Sequence, residues 1–126
     1  MRRALIAVLT LGGIAAVLIG LTHIALGPSS IPGSVPVNAT MDSEDRFYAT
    51  LFVGYGIAML WCVRAIDRRA LCIRFLAGLL FASGISRVVS MVAVGPPNLL
   101  FQVLTGVEFV VPVLVWWLLR GVVRAS

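Results

Sequence analysis

Lysine is absent from this chain, and charge of either sign is scarce. Of 126 residues 12% are charged, supplied by ten Arg and five acids, and 60% are hydrophobic. A soluble globular domain carries about 25% charged residues. With a mean hydropathy of +1.06, this balance excludes a soluble fold, and the all-Arg basic set points to a GC-rich, bacterial genome. Cys62 and Cys72 are the only cysteines. They form no C-x-x-C pair, which excludes the thiol exchange of small quinone-linked oxidoreductases, and they read as small apolar residues kept reduced. A single His with scattered carboxylates excludes a metal cluster and leaves haem without a second axial ligand. No phosphate-cradling Gly loop is present, so no cofactor is expected. The basic residues gather at the ends of apolar runs without interleaved aromatics, so the positive excess reads as membrane topology and no nucleic acid is expected as a partner.

What the chain does have is apolar length. Four successive runs, at about 4–26, 44–66, 71–94 and 99–119, each approach the ~20 residues that a helix needs to cross about 30 Å of hydrocarbon. The one long link, 27–43, contains Pro28, Pro32, Gly33 and Pro36 and should be irregular and outside the bilayer. The later links, 67–70 and 95–98, are short, which makes neighbours antiparallel. The sequence therefore predicts an all-α, polytopic membrane protein: one domain, residues 1–126, forming an antiparallel four-helix transmembrane bundle. Arg2, Arg3, Arg64, Arg68, Arg69, Arg74, Arg120 and Arg124 all fall on one side of it. By the positive-inside rule both termini are cytoplasmic in a bacterial inner membrane, and link 27–43 faces outwards. Arg2-Arg3 ahead of an apolar stretch also fits a secretory leader, but the stretch exceeds the usual ~7–15 residues and no clean A-x-A site follows. Trp61, Trp116 and Trp117 sit near the expected cytoplasmic helix ends, as interfacial anchors do.

Two ionisable residues break the apolar runs. Arg87 lies inside 71–94 and Glu108 inside 99–119. A charge at the centre of a membrane costs at least about 2.5–3.5 kcal/mol on insertion scales, so such residues turn inwards and find a partner. Counting from the outer helix ends puts both on the order of 10–14 Å deep, on consecutive antiparallel helices, so an Arg87 to Glu108 ion pair is the natural geometry. Ser83 and Ser90 share the face of Arg87, and Thr105 and Pro112 share that of Glu108. Pro112 has no N–H, which frees the Glu108 carbonyl for Arg87, Gln102, water or a ligand. On the first helix Gly13, Ala16, Gly20, His23 and Gly27 form a small-residue seam suited to close backbone approach. Asp42 and Arg46, four apart in the second helix's first turns, are placed to pair with each other.

His23 near a Gly, the run Asp42-Ser43-Glu44-Asp45-Arg46-Phe47-Tyr48-Ala49 before Gly54 and Gly56, Arg87 with Ser90 before Gly95-Pro96-Pro97, and Glu108 before Pro112 form a recurrent combination. It resembles a widespread bacterial family of small four-helix integral membrane proteins with a domain of unknown function. The likeness covers nearly the whole chain and is most specific in the acid-rich stretch; it implies the architecture and the choice of residues, and no activity.

The candidate ligand-binding residues are thus Arg87, Glu108, His23, Arg46, Ser83, Ser90, Thr105 and Asp42, read as an outward-facing polar pocket with Arg87 and Glu108 as its floor and His23 and Arg46 as its rim. Three uses fit. The pocket binds a small amphipathic, lipid-like or isoprenoid-like molecule; or the chain is an accessory subunit docking a membrane-protein partner in a larger envelope complex; or it is a membrane isomerase or hydrolase with Glu108 and His23 as acid and base.

Overall fold

The four apolar runs form four helices in the computed structural model, which describes residues 1–125. They are α1 Arg2–Leu26, α2 Ala39–Val63, α3 Ala70–Val94 and α4 Leu99–Ala125, with a 3-10 turn at Gly27–Ser30 after α1. Each α-helix has 25 or 27 residues, about 37–40 Å at 1.5 Å per residue, enough for ~30 Å of hydrocarbon with a turn to spare. All four are apolar enough to cross a membrane, and no more than 28% of any span's apolar window is buried. Large aliphatic side chains such as Leu71, Val92 and Val94 stand out from the helices, which water opposes and lipid tails accept. The chain is an all-helical, multi-pass membrane protein.

Local chemistry sets the helix ends. α1 stops where Gly27 adopts a positive φ of 67° and Pro28 follows. α2 begins at Ala39, well before the expected position 44, because Asn38 caps it: its side-chain oxygen accepts the Met41 N–H at 2.9 Å. A polar cap of this kind is invisible to hydropathy. Gly95, at φ 109°, closes α3 ahead of Pro96 and Pro97. α4 opens with Asn98, whose side chain accepts the Leu100 N–H at 3.0 Å. It continues beyond the expected end at 119 to Ala125, since Arg120 and Arg124 end an apolar run without ending a helix.

The chain divides into two compact units, residues 9–64 and residues 1–8 with the segment from Ala65 onwards. In the first, α1 and α2 are antiparallel: Gly13 meets Gly56 and Leu60, Gly20 meets Ala49 and Val53, and His23 meets Asp45. The backbones come close enough that a Cβ on Gly56 would lie 2.6 Å from the Gly13 carbonyl oxygen, and one on Gly20 would lie 2.9 Å from that of Ala49. Four members of the expected seam, Gly13, Gly20, His23 and Gly27, touch α2, and Ala16 is buried. Lipid offers helices no hydrophobic reason to associate, so this backbone contact is the source of their attraction.

In the second unit α3 and α4 form an antiparallel hairpin. Phe81 packs edge-on against Phe109, with ring centroids 5.0 Å apart, and tilts against Trp116 at 6.1 Å. The Trp116 indole N–H donates to the Arg74 carbonyl at 3.4 Å, so this tryptophan takes part in the packing of the hairpin. Near the start of α1, Arg2 and Asp67 form an exposed ion pair at 3.0 Å, a type that contributes little to stability.

Candidate functional site

The predicted site residues fall into two clusters, one within each unit. Asp42, Arg46 and His23 belong to the α1–α2 hairpin; Arg87, Ser83, Ser90, Glu108 and Thr105 belong to the α3–α4 hairpin.

In the α1–α2 cluster the acid-rich stretch acts as a lock. Arg46 donates its Nε to Asp42 Oδ2 at 2.8 Å and Nη2 to Asp42 Oδ1 at 3.3 Å. Its Nη1 donates to the Ile24 carbonyl at 2.6 Å and to that of Ala25 at 3.5 Å. Those carbonyls belong to the last turn of α1, where no intrahelical donor remains, and a cation there also complements the helix dipole. Arg46 thereby caps α1 from α2, with its donors committed inside the chain. Gly27 lies directly beneath: a Cβ on it would fall 2.7 Å from both Arg46 Nη2 and Asp42 Oδ1. Replacing Gly27 with Ala combines this collision with a left-handed backbone that costs a side-chain-bearing residue about 1–2 kcal/mol. The expected result is a thermal midpoint several degrees lower in detergent, read by size-exclusion of heated samples, with no such shift for Gly54→Ala, which meets nothing within 4 Å.

Asp45, another acid of the acid-rich stretch, makes a separate contact. Its Oδ1 lies 3.3 Å from His23 Nδ1. Its Oδ2 is buried and finds no hydrogen-bond partner among the described residues. His23 is therefore engaged by a carboxylate of its own hairpin.

In the α3–α4 cluster Arg87 Nε donates to Glu108 Oε2 at 2.7 Å, the ion pair that matched depths predict. The acid is the more enclosed partner, with its side chain 12% exposed against 38% for Arg87. Gly84 makes room for it: a Cβ there would lie 3.3 Å from the Cβ of Glu108 and 3.1 Å from the ring of Phe109. The guanidinium also lies over the Phe101 ring, 5.5 Å from its centroid. Sequence reasoning missed Phe101, although its position seven residues before Glu108, two turns along the same face, was the available signal.

The remaining polar groups are largely spent on their own helices. Ser83 donates to the Leu80 carbonyl at 2.6 Å and Thr105 to that of Phe101 at 2.7 Å. Gln102, one of the expected donors for the Glu108 carbonyl, instead donates to the Pro97 carbonyl at 2.9 Å. Pro97 precedes α4, so its carbonyl is within easy reach of a first-turn side chain, whereas Glu108 lies nearly two turns further along. Ser90 is exposed, and its side chain makes no hydrogen bond among the described residues. Pro112 is buried inside α4, where it leaves the Glu108 carbonyl without its usual helical donor.

No group of three or more His, Cys, Asp or Glu gathers in a metal-binding arrangement among the described residues. His23 and Glu108, the pair available for acid and base work, are each engaged by a partner in their own hairpin. No curated protein and no solved structure matches the chain. The family described as "Domain of unknown function (DUF4345)" matches residues 4–119. That span takes in all four helices, the lock at Asp42 and Arg46, and the intramembrane pair, and the chain belongs to this family.

Proposed function

We propose that this protein is a bacterial inner-membrane protein that holds a small amphipathic, lipid-like molecule at the outer-leaflet half of its α3–α4 hairpin, with both termini cytoplasmic. The single observation carrying this reading is the lopsided closure of the intramembrane ion pair. Glu108 is nearly enclosed, while Arg87, bonded to it at 2.7 Å, keeps 38% of its side chain open. A pair that served packing alone would gain by closing both ends, because unsatisfied donors facing hydrocarbon cost free energy. An occupant that brings acceptors to the open end offsets that cost. The outward orientation follows from the Arg distribution, which assigns the Gly95–Asn98 end of the hairpin to the outer side.

Native mass spectrometry of the protein purified in mild detergent tests the reading. A discrete small molecule is expected on the wild type and is expected to be lost from the double variant Arg87→Gln/Glu108→Gln, which removes both charges together and leaves neither buried alone. Retention of the same molecule by the folded double variant, or a bare wild-type protein, would overturn it. A stoichiometric protein partner recovered in place of any small molecule would give the pair to the accessory-subunit role instead.

A further inference from the structure

We infer that the group recognised at Arg87 is an oxyanion, the phosphate or carboxylate of an amphipathic molecule, approaching from the Gly95–Asn98 end of the hairpin. This rests on the ligand reading above and specifies its chemistry.

Arg87 has five N–H groups, and within the chain it gives its Nε to Glu108. The Nη1 and Nη2 edge, two parallel N–H bonds in a fixed fork, has no acceptor among the described residues. That edge matches the two oxygens of a carboxylate or phosphate. Around it Ser83 and Thr105 are satisfied by their own helices. Ser90, one turn from Arg87 towards the end of α3, is exposed and keeps its hydroxyl. The unspent groups that face outwards, the guanidinium edge and the Ser90 hydroxyl, can both donate, whereas the acceptors left on Glu108, its carbonyl freed by Pro112 and its second carboxylate oxygen, belong to a residue whose side chain is only 12% exposed. A cationic ligand is disfavoured, because the open end of the pair is itself a cation, Glu108 is already paired and mostly enclosed, and Asp67, the other acid of the α3–α4 segment, precedes α3.

Direction comes from the two partners of the guanidinium on α4. Glu108 and Phe101 are two turns apart on one face, about 10 Å along the axis. With Nε on Glu108 and the guanidinium carbon over Phe101, the side chain runs from the level of Glu108 towards the Gly95–Asn98 end. Attraction between the cation and the Phe101 ring favours this placement. The open edge therefore faces the helix ends, where headgroup oxygens lie, and the acyl part of such a ligand has the exposed aliphatic surface of α3 and α4 beside it.

The test titrates phosphatidic acid, oleate and neutral dioleoylglycerol into the maltoside-solubilised full chain and reads bound lipid by native mass spectrometry. The wild type is expected to retain phosphatidic acid and oleate about tenfold or more over dioleoylglycerol, the scale of one charge-assisted forked contact. Arg87→Lys preserves the charge and a bond to Glu108 but loses the fork, and is expected to erase most of that preference. Ser90→Ala, an exposed change that breaks no side-chain hydrogen bond among the described residues, is expected to lower it about two- to fivefold and serves if Arg87→Lys fails to fold. Displacement of the lipid by inorganic phosphate supports recognition of a free oxyanion; resistance to it supports a headgroup held together with its acyl chains. Dioleoylglycerol retained as well as the anions, yet lost from the charge-free double variant, would overturn the oxyanion and leave the ligand reading standing. Equal retention of all three by the wild type and the double variant would overturn both.

Discussion

Changing Arg87 to Gln is expected to destabilise the protein by about 3–5 kcal/mol, the range for removing one partner of a buried ion pair and stranding the other. Changing Glu108 to Gln should cost clearly less. The asymmetry follows from where each survivor is left. Without Arg87, the Glu108 carboxylate remains in a site only 12% open, backed by Gly84 and Phe109. Without Glu108, Arg87 keeps the Phe101 ring and a side chain 38% open, and can extend along α3 towards the interface as long cationic side chains do. Because the two residues touch, the effects should not add: the double Gln variant is expected to be more stable than Arg87→Gln alone. Denaturation in mixed micelles of increasing anionic detergent, followed by tryptophan emission, measures all three. Equal losses from the two single variants, with no recovery in the double, would mean that the residues act independently.

A similar loss is expected from Gly56→Leu in the α1–α2 hairpin. A Cβ at that position would lie 2.6 Å from the Gly13 carbonyl oxygen and 2.9 Å from the Val17 amide nitrogen, and backbone atoms cannot step aside as a flexible side chain can. Overpacking of a core costs about 1–3 kcal/mol where neighbours can yield; here the expected cost is at or above the top of that range. Helix separation would also remove the attraction that close backbone contact supplies in lipid. Two positions earlier, Gly54→Ala introduces a Cβ into open space and is expected to be neutral or to stabilise by up to ~1 kcal/mol through helix propensity. Yield of monodisperse protein after heating separates the two variants. If Gly56→Leu behaves like Gly54→Ala, the helices do not meet at backbone distance around Gly13 and Gly56.

Much of this arrangement is legible in the residues, and the part that is not has an identifiable cause. Apolar length located the four helices, because a span through lipid must satisfy its own backbone hydrogen bonds and helix is the local way to do so. The Arg87 to Glu108 contact could be anticipated because depth in a membrane is a one-dimensional coordinate that helical rise converts directly from residue number. The seam on α1 was readable from spacing, since small residues at steps of three and four mark one face. The start of α2 at Ala39 and the passage of α4 beyond Leu119 escaped hydropathy for the same reason: hydrogen bonding and apolarity end at different residues. The capping of α1 by Arg46 was equally hidden. Its targets are the Ile24 and Ala25 carbonyls, and a main-chain carbonyl looks alike in every residue. Asp45 stands in the sequence as one more acid of the stretch from Asp42 to Asp45, and only its position across from His23 distinguishes it.

The sequence distance between the paired charges has a bearing on how the protein is made. Arg87 leaves the ribosome 21 residues ahead of Glu108, so the nascent third helix arrives at the translocon carrying a guanidinium whose counter-charge has not yet been synthesised. On insertion scales an Arg near the centre of a span opposes partitioning by about 2.5–3.5 kcal/mol, the favourable contribution of several leucines. The short Gly95-Pro96-Pro97-Asn98 turn delivers the carboxylate on the very next span. Insertion of α3 alone would therefore leave an unpaired cation facing lipid, a cost that insertion of α3 together with α4 removes.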